Sequence, residues 1–542
     1  MNFHEIEERL QVSADGKSGM AEGGMVATAF PLATRAGVLM LEKGGNAVDA
    51  ACAAAFALSV CEPQSSGLGG QTMAMVHINN RTIALDGSSR VPSLAHIEKI
   101  TNSNRNYGYL AATVPSTPAV LGYLHLRYGR LEWQTVLEPA IRIAREGYPI
   151  TPLQNKLQQR ELTAFLEIES RSGSKYFLKN DGKPYDIGDL FVQADLANVL
   201  EILAEQGPRA FYLGKIARRI SEDMEAHGGF IRADDLALIP WPIERSPIER
   251  RYRNITVRTI PPPAAGRTLL LVLLMLNYLS PEFVSQVTPK TYHFLAETFR
   301  KALLQRRQQP YDPNFYPQVT DKTMTNPVFA RELVASIRDS IDPGLPLLDP
   351  PQDGGETTHL SVMDAEGNAV GISQSIESIY GSKAAAEGLG FLYNNYINTM
   401  ETKDPGHPYF LRPNATPWSS VAPAIMFHQG SPWLVVGSPG SERIFSSVAQ
   451  FLIHIVDGNR SMAEALQRPR LHCSMGGKVS LEAERFDPSI IEHLEKLGYE
   501  IDRRGPYSFY LGAIYAAMRC QARSGFQGVA EIRREGSVAG PG

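Results

Sequence analysis

Thr357 is the residue that most constrains this chain, because it stands at the head of an alternating, strand-like run over residues 357–364. The run directly follows the polar, glycine-bearing residues 353–356. A threonine released at a chain start carries its own α-amine beside its hydroxyl, so one residue supplies both nucleophile and base. Thr357 is internal in the sequence as written. If it is the nucleophile, the bond between Glu356 and Thr357 must first be cut, and the chain is a zymogen.

The composition favours a globular protein that acts on small molecules. The chain has 542 residues, of which 43% are hydrophobic and 20% charged, enough for a large core in one two-layer domain or several compact units. Acidic residues number 57 against 53 basic ones, and this near balance argues against binding nucleic acid or anionic membranes by bulk charge. The four cysteines have no CxxC spacing and predict buried thiols, not a disulfide framework or a zinc site.

The first residues and the apolar runs of the chain indicate where in the cell we expect the protein. Residues 1–9 are acidic and lack the basic and apolar regions of a secretory signal. The longest apolar run, residues 269–276, is far shorter than the roughly 20 residues that a spanning helix needs, and it predicts a core helix. We therefore expect a cytoplasmic protein without a membrane segment, in which residues 1–23 form a flexible arm.

Short strands and an alanine-rich helix are predicted near the start of the chain. A strand over residues 25–30 precedes a helix over residues 47–60, which Asn46 can cap. Residues 72–78 and 82–85 follow as a β-hairpin. The glycines between that helix and the hairpin do not predict a phosphate loop, because no lysine follows them and the order is helix to strand.

The middle of the chain, residues 116–310, is predicted to be mostly helical. Within it, residues 293–308 alternate apolar and basic positions as on a solvated helix face, with a basic partner-binding patch as the alternative. The basic residues of this segment are Arg300, Lys301, Arg306 and Arg307. Residues 342–353 are rich in proline and aspartate, and we expect an exposed segment there that tolerates a chain cut.

The pattern after residue 356 predicts a hairpin and a turn suited to catalysis. Residues 359–363 and 368–373 are strand-like and are joined by a short acidic turn that ends in glycine. Thr357 then lies at the outer end of the first strand, and His359 is expected to point into the sheet. Farther on, a strand over residues 433–436 leads through glycine-rich residues 437–441 into a helix over residues 442–456. Such a turn leaves free backbone N–H groups at the positive end of a helix, as an oxyanion hole requires.

These separate blocks, taken together, resemble the γ-glutamyltranspeptidase family of N-terminal nucleophile hydrolases over roughly residues 24–528. The blocks that carry the resemblance are GGNAVDAA at 44–51, GLGG at 67–70, GG at 228–229 with DDL at 234–236, PPP at 261–263, TTHLSVMD at 357–364 and GNAV at 367–370. The resemblance implies an α+β fold, the four-layer αββα sandwich. It also implies a large subunit, residues 24–356 preceded by the arm, and a small subunit, residues 357–542, which together form one αββα unit.

The resemblance also implies a mechanism and its residues. Thr357 is similar to the family's catalytic threonine, which first attacks the carbonyl of the preceding residue, here Glu356, and later attacks a substrate amide. Ser375 falls where the family has a second threonine that hydrogen-bonds the nucleophile. Gly440 and Ser441 match the glycine pair of the family's oxyanion hole. No cofactor and no metal are implied.

Substrate recognition is where the sequence departs from the family. Ser419 and Ser420 match a serine pair that helps bind the substrate carboxylate, but Ser88 stands where the family's transpeptidases have a carboxylate-binding arginine. Arg90, two residues later, is a candidate replacement.

Three further positions depart from the family at the substrate's α-amino group. Glu377 stands where an asparagine is usual, and Tyr396 and Thr399 stand where polar or acidic residues are usual. The stretch between residues 398 and 419 is also shorter than in bacterial transpeptidases. This implies an open site that favours hydrolysis over transfer.

Three hypotheses remain open at this point. The first is a self-processing γ-glutamyl hydrolase or transferase that acts on glutathione-like amides. The second is an acylase for another acyl group, such as a dicarboxylic monoamide or a β-lactam side chain. The third is a catalytically silent relative that binds a partner as a single chain. A metal-dependent amidase is a mechanistic rival, although the sequence has neither HExxH nor GxSxG. The expected partners are a small amide substrate and the two subunits themselves, with a further oligomer as an option.

Overall fold

Two antiparallel sheets, each with seven strands in the part of the chain that the structure describes, form the centre of the molecule. The structure is a computed structural model that describes residues 1–9, 12–315, 322–337 and 355–542. Its strands are β1 (Ser18–Ala21), β2 (Gly24–Thr28), β3 (Gln71–Ile78), β4 (Arg81–Asp86), β5 (Tyr148–Pro149), β6 (Leu190–Phe191), β7 (Ile243–Arg245), β8 (Ile248–Tyr252), β9 (Ile255–Thr259), β10 (Gly355–Asp364), β11 (Ala369–Ser378), β12 (Ala424–His428), β13 (Ser431–Gly437), β14 (Leu471–Cys473), β15 (Lys478–Glu482), β16 (Glu500–Arg504), β17 (Tyr515–Arg519), β18 (Phe526–Ala530) and β19 (Ser537–Ala539).

The two large sheets lie face to face. Sheet I has the strand order β1-β18-β17-β13-β12-β9-β8, and sheet II has the order β19-β2-β10-β11-β3-β4-β7. They meet where β10 contacts β13 and β17, and where β2 contacts β18. The central strands of both sheets are therefore covered on both faces and almost entirely buried.

Helices cover the outer face of each sheet. They are α1 (Phe3–Glu8), α2 (Pro31–Glu42), α3 (Ala47–Cys61), α4 (Thr117–Tyr128), α5 (Trp133–Glu146), α6 (Pro152–Glu167), α7 (Ser172–Phe177), α8 (Ala194–Gln206), α9 (Lys215–Ala226), α10 (Ala233–Ala237), α11 (Gly266–Leu276), α12 (Pro281–Ser285), α13 (Pro289–Gln308), α14 (Pro327–Ala335), α15 (Ile444–Leu452), α16 (Met462–Gln467) and α17 (Pro488–Lys496). α2, α3 and α4 pack on sheet II, whereas α11 and α15 pack on sheet I. The predicted αββα sandwich is confirmed.

The best-predicted elements are those with strong local signals. Asn46 caps α3 by accepting the backbone N–H groups of Val48 and Asp49, and every residue of this alanine-rich helix is buried. In the β3–β4 hairpin, Asn79 and Asn80 both have positive φ, which the tight turn requires and asparagine tolerates. The β10–β11 hairpin closes as predicted, and α11 is the expected core helix.

His359 points between the two sheets, as predicted. Its ring nitrogens hydrogen-bond to the hydroxyls of Ser373 and Ser361 at 2.9 and 3.0 Å. A Cβ atom at Gly437 of sheet I would lie 2.3 Å from this ring, so only glycine leaves room for it. Burial lowers the pKa of His359 to about 3, which keeps the imidazole neutral.

The first residues of the chain differ from the predicted flexible arm. α1 is helical, and β1 adds an edge strand to sheet I by pairing with β18, Ser18 opposite Val529. Glu7 is buried and accepts the backbone N–H of Ala522 at 2.9 Å. Four-residue strands carry too little alternation to be recognised, so only the tertiary pairing reveals this one.

The middle of the chain, residues 116–310, is mostly helical, as predicted, and it also contains the short strands β5 to β9, of which β9 joins sheet I beside β12. The prediction for α13 needs correction. α13 is not a solvated helix, since most of its residues, including His293 and Arg300, are buried. The predicted cut-tolerant segment, residues 342–353, lies outside the described residues. Within the described chain, none of the helices combines the length and the apolar character that crossing a bilayer requires.

Candidate active site

Thr357 lies at a β-bulge at the start of β10. Glu356 pairs with Glu377 and Thr358 pairs with Gln374, so two residues of β11, Ser375 and its successor, lie opposite the single residue Thr357. A bulge bends the strand and redirects a side chain, and bulges are common next to active sites. Thr357 is buried, with 5% of its surface exposed.

The peptide bond before Thr357 is held by hydrogen bonds on both sides. The Ser375 hydroxyl donates to the carbonyl oxygen of Glu356 at 2.8 Å. The same hydroxyl accepts the backbone N–H of Glu377 at 2.8 Å, which orients its proton toward that carbonyl. The backbone N–H of Thr357 donates to Oε1 of Glu356 at 3.0 Å. The carbonyl that a Thr357 hydroxyl would attack is therefore polarised by a fixed donor.

A buried ion pair anchors the side chain of Glu356. Nη1 of Arg534 lies 2.5 Å from Oε1 of Glu356, and Nη2 lies 3.2 Å from Oε2. Both side chains are about 2% exposed. Two charge-assisted hydrogen bonds in a dry site fix both position and orientation of the residue before the bond.

A second carboxyl group, that of Glu62, lies near the Glu356 ion pair. Burial raises the pKa of Glu62 to about 8, in opposition to the charge of Arg534. Its Oε2 has no hydrogen-bond partner within the described chain. Glu62 is therefore mostly protonated at neutral pH, so it adds no second buried negative charge beside Glu356.

The glycine-rich turn after β13 contacts the segment before Thr357. Gly440 and Ser441 have φ values of 122° and 52°, and a 3₁₀ turn (Ser441–Arg443) then leads into α15. A Cβ atom at Gly355 would lie 2.6 Å from both Cβ and Oγ of Ser441, so the two backbones approach closely. Backbone N–H groups at such a helix start have no partner inside the helix and suit a developing oxyanion.

The predicted helix over residues 442–456 differs in detail from the structure. α15 is α-helical from Ile444 to Leu452 and is followed by a π-helical turn (Ile453–Asp457). The strand and the turn that precede it are present as expected. The glycine-rich segment is thus the entry to the helix, as the sequence predicted.

Arg306, near the end of α13, contacts the serine pair. Its Nη2 donates to the carbonyl oxygen of Ser419 at 3.0 Å, and its Nη1 lies 3.4 Å from the Ser420 hydroxyl. The guanidinium lies over the Trp418 ring, 4.3 Å from the ring centroid. The stacked ring and the two contacts hold the guanidinium in one orientation.

Glu377 and Tyr396 both lie near Ser375. Glu377 has a φ of 79°, a strained conformation for a residue with a side chain. Burial raises the pKa of Glu377 to about 7, Arg306 opposes this shift, and Glu442 adds to it. Burial, and next the charge of Glu377, raise the pKa of Tyr396, while the hydroxyls of Ser375 and Ser419 act in the other direction. The Tyr396 hydroxyl is therefore close to the hydroxyls of both serines.

A cavity of about 270 Å³ lies beside these residues. Residues from several separate parts of the chain line it, among them Pro263, Arg306, Tyr409, Trp418, Glu442 and Met475. Glu442 directly follows the glycine-rich turn at Gly440 and Ser441, so the cavity begins where that turn ends. Its volume is at the lower end of the range for small-molecule sites and suits a short acyl chain.

Arg90 is the predicted site residue that the structure does not bring to this cluster. Its guanidinium donates to the carbonyl oxygen of Leu238, just after α10, and none of its contacts in the described chain reaches Thr357. The hydroxyl of Ser88 donates to Oδ1 of Asp86 at 2.6 Å, and Asp86 is paired with Arg245. The other predicted residues, Glu356, Thr357, Ser375, Glu377, Tyr396, Ser419, Ser420, Gly440 and Ser441, lie together.

Sequence reasoning missed Arg306, Trp418 and Glu442 as site residues. Arg306 sits among other basic residues of α13, and nothing in the local pattern separates it from its solvent-facing neighbours. Trp418 and Glu442 directly adjoin the predicted pairs 419–420 and 440–441. Adjacency to those pairs was the signal that could have identified them.

An αββα sandwich with a buried threonine at the head of a central strand, next to a glycine turn, defines the class of N-terminal nucleophile hydrolases. The sequence matches the gamma-glutamyltranspeptidase family over residues 33–541, and the chain belongs to that family. It is an amidohydrolase of the N-terminal nucleophile type.

Relatives of the chain carry two kinds of name. The glutathione hydrolase proenzyme of Escherichia coli is 31% identical over 509 residues, which cover 89% of this chain and 86% of that protein. The acylase ACY 1 proenzyme of a Pseudomonas species (strain SE83) is 31% identical over 519 residues, 91% of this chain and 89% of that protein. The crystal structure of a cephalosporin acylase from Bacillus halodurans superposes with a TM-score of 0.88 at 28% identity, and covers 96% of both chains.

Proposed function

We propose that the chain is a self-processing enzyme that cuts itself between Glu356 and Thr357. Oγ1 of Thr357 attacks the carbonyl carbon of Glu356, the C–N bond breaks, and the amine takes up a proton, which leaves an ester. Water then cleaves the ester, which gives Glu356 a free carboxylate and restores the Thr357 hydroxyl beside the α-amine that the first step released. The large subunit is residues 1–356, and the small subunit is the remaining 186 of the 542 residues.

One observation carries the processing step above all others. The Ser375 hydroxyl donates to the carbonyl of Glu356 at 2.8 Å, next to the bulge at which Thr357 lies. A hydrogen-bond donor at the carbonyl oxygen stabilises the negative charge that develops there during attack. The Glu356–Arg534 ion pair holds the acyl side of the same bond.

The processed enzyme uses Thr357 a second time, on substrate. Its free α-amine, with a reference pKa near 8, accepts the hydroxyl proton while Oγ1 attacks the substrate amide. The backbone N–H groups of Gly440 and Ser441 stabilise the oxyanion. The α-amine then passes the proton to the nitrogen of the substrate amide, which leaves as the product amine. Water then attacks the threonyl ester and releases the acid. Hydrolysis is favoured over transfer because the short stretch between residues 398 and 419 leaves the site open to water.

The proposed substrates are γ-glutamyl amides such as glutathione. A γ-glutamyl group ends in a zwitterion, with a carboxylate and an ammonium on the same carbon. Glu377 and Glu442 supply negative charge for the ammonium, and Arg306, which contacts the serine pair, is close enough to both carboxyl groups to act against the rise in their pKa. An acyl group with a carboxylate and no ammonium would bring a further negative charge toward these two carboxyl groups and no positive charge of its own.

A different acyl specificity is the second candidate function. Ser88 stands where the γ-glutamyl enzymes have an arginine, and its hydroxyl donates a hydrogen bond to Asp86. Relatives named as acylases match the chain as well as those named glutathione hydrolase. A dicarboxylic monoamide or a β-lactam side chain would then be the acyl donor.

Denaturing electrophoresis and an anilide panel test these functions. The fresh protein should show two bands, Thr357→Ala should stay a single chain, and the adjacent control Thr358→Ala should still be cleaved. A wild-type chain that remains whole supports a silent binding protein. Cleaved enzyme should release nitroaniline from a γ-glutamyl anilide. Turnover of a glutaryl anilide without turnover of the γ-glutamyl anilide would favour the acylase.

A further inference from the structure

We infer that Arg306 supplies the cation that binds the terminal carboxylate of the acyl group, in place of the arginine that is absent at Ser88. This inference rests on the proposed function, because it names the substrate contact of the same site. It assigns a specificity role to a residue of the large subunit that comes from α13, far along the chain from the block around residue 88.

Two arginines of the described chain lie close to Ser88 in the fold or in the sequence, Arg245 and Arg90. Arg245 places Nε and Nη2 at 2.9 and 2.8 Å from one oxygen of Asp86, so that its charge is balanced within the protein. The other oxygen of Asp86 accepts the Ser88 hydroxyl. Arg90 donates to the carbonyl oxygen of Leu238, just after α10, and none of its contacts in the described chain is with Thr357, the serine pair or the lining of the cavity. Neither arginine therefore belongs to the cluster around Thr357 and the serine pair.

Arg306 is placed to provide the positive charge for a substrate carboxylate. It directly contacts both serines of the pair, through the Ser419 carbonyl and the Ser420 hydroxyl, and it lines the cavity. A guanidinium has five N–H donors, and these two contacts leave others for a ligand. None of the described carboxylates forms an ion pair with it, although Glu377 and Glu442 lie near enough to influence its charge.

The site has the geometry that planar recognition of a carboxylate needs. Stacking on Trp418 fixes the plane of the guanidinium, and the Ser419 contact fixes its rotation in that plane. An arginine held in this way can offer two parallel N–H groups to a carboxylate, which lysine cannot do. The Ser420 hydroxyl beside it can donate a third hydrogen bond once a carboxylate is bound.

Three anilides separate carboxylate recognition from the rest of catalysis. The γ-glutamyl anilide carries both the carboxylate and the ammonium, the glutaryl anilide carries the carboxylate alone, and the 4-aminobutyryl anilide carries the ammonium alone. All three present the same scissile amide at the same chain length. Kinetics of the processed enzyme are compared for wild type, Arg306→Gln, Arg306→Lys and the control Lys301→Gln, which removes a charge from the same helix.

Arg306→Gln should lower kcat/KM about 100-fold for whichever carboxylate-bearing anilide the wild type prefers, chiefly through KM, as expected for loss of a charge-assisted pair. Activity on the 4-aminobutyryl anilide should change less than about threefold. Arg306→Lys should retain part of the selectivity, and Lys301→Gln all of it. If the wild type uses only the glutaryl anilide, the proposed γ-glutamyl function fails while the role of Arg306 is still tested on that substrate.

Two results would overturn the inference. One is an equal loss on all three anilides, which would mean that Arg306 merely supports the structure. The other is full carboxylate selectivity in Arg306→Gln. If Arg306→Gln is not cleaved into subunits, Arg306→Lys decides the matter: an uncleaved Arg306→Lys chain also contradicts a binding role, and a cleaved one with reduced selectivity supports it.

Discussion

The Ser375 hydroxyl donates to the carbonyl oxygen of Glu356 at 2.8 Å and, at the same time, accepts the backbone N–H of Glu377. These two contacts connect the strained residue Glu377 to the bond that the proposed self-processing would break. They place a proton donor at the oxygen that would become negative in the proposed attack by Thr357.

Ser375→Ala should slow self-cleavage by about 10²–10³-fold, because it removes one donor from the developing oxyanion. Ser375→Thr retains the hydroxyl and should cleave at a rate within about tenfold of wild type. The measurement is the fraction of cleaved chain against time after rapid purification. Equal rates for Ser375→Ala and wild type would show that this hydrogen bond has no part in processing.

Removing one partner of the Glu356–Arg534 pair should lower the free energy of unfolding. Replacing either partner by glutamine leaves the other charge buried, and each single variant should lose about 3–5 kcal/mol of stability and cleave slowly. The double variant should lose less than the two single losses added together. Unfolding is best followed in a Thr357→Ala background, in which no chain is cut. Strict additivity would contradict the coupling.

Substrate preference should depend on pH through Glu377. With a pKa of about 7, this carboxyl is mostly neutral below that pH and charged above it. The ratio of kcat/KM for the γ-glutamyl anilide to that for the glutaryl anilide should therefore rise as pH increases through about 7. Taking this ratio cancels the titration of the Thr357 amine, which affects both substrates.

The matched control for this pH effect is Glu377→Gln. It should flatten the ratio, since the neighbouring charges of Arg306 and Glu442 remain in place. A ratio in Glu377→Gln that still rises in the wild-type manner would assign the titration to another group. A ratio that falls with pH in the wild type would contradict an ammonium contact altogether.

Glu62 should make the uncut chain less stable at alkaline pH. Its folded pKa of about 8 lies above the ordinary glutamate value of 4.5, so between these two pH values the folded state holds a proton that the unfolded state has lost. Stability from this group is complete below about 4.5 and declines as pH rises to about 8. Glu62→Gln, in the Thr357→Ala background, should gain about 2 kcal/mol or more relative to its parent at the upper end of this window. Melting curves at both ends of the window check this, and a parallel shift at both would refute it.

Short sequence patterns predict the two hairpins, the start of α3 and the neighbourhood of Thr357. The two hairpins follow from alternation combined with turns rich in asparagine, aspartate and glycine, and the start of α3 follows from the Asn46 cap. The neighbourhood of Thr357 could be inferred because its residues come from recognisable blocks. Each of these signals lies within a few residues of the feature that it predicts.

The remaining features depend on contacts between distant parts of the chain. The bulge at Thr357 is visible only once β11 is paired with β10. Arg306 reaches the serine pair because α13 packs on α11 and ends at the cavity, and no pattern within α13 indicates this. Arg90 was a candidate carboxylate-binding residue because it is close to Ser88 in the sequence. Its guanidinium instead donates to the carbonyl oxygen of Leu238 in another part of the fold.

The central claim is that Thr357 becomes the first residue of a new chain and acts as the nucleophile. N-terminal sequencing of the small subunit, together with its intact mass, tests this most directly. We predict a start of Thr-Thr-His-Leu-Ser, a mass equal to residues 357–542, and a single uncut chain for Thr357→Ala. A small subunit that begins at any other residue, or a Thr357→Ala protein that is cut at the same place, would contradict the account.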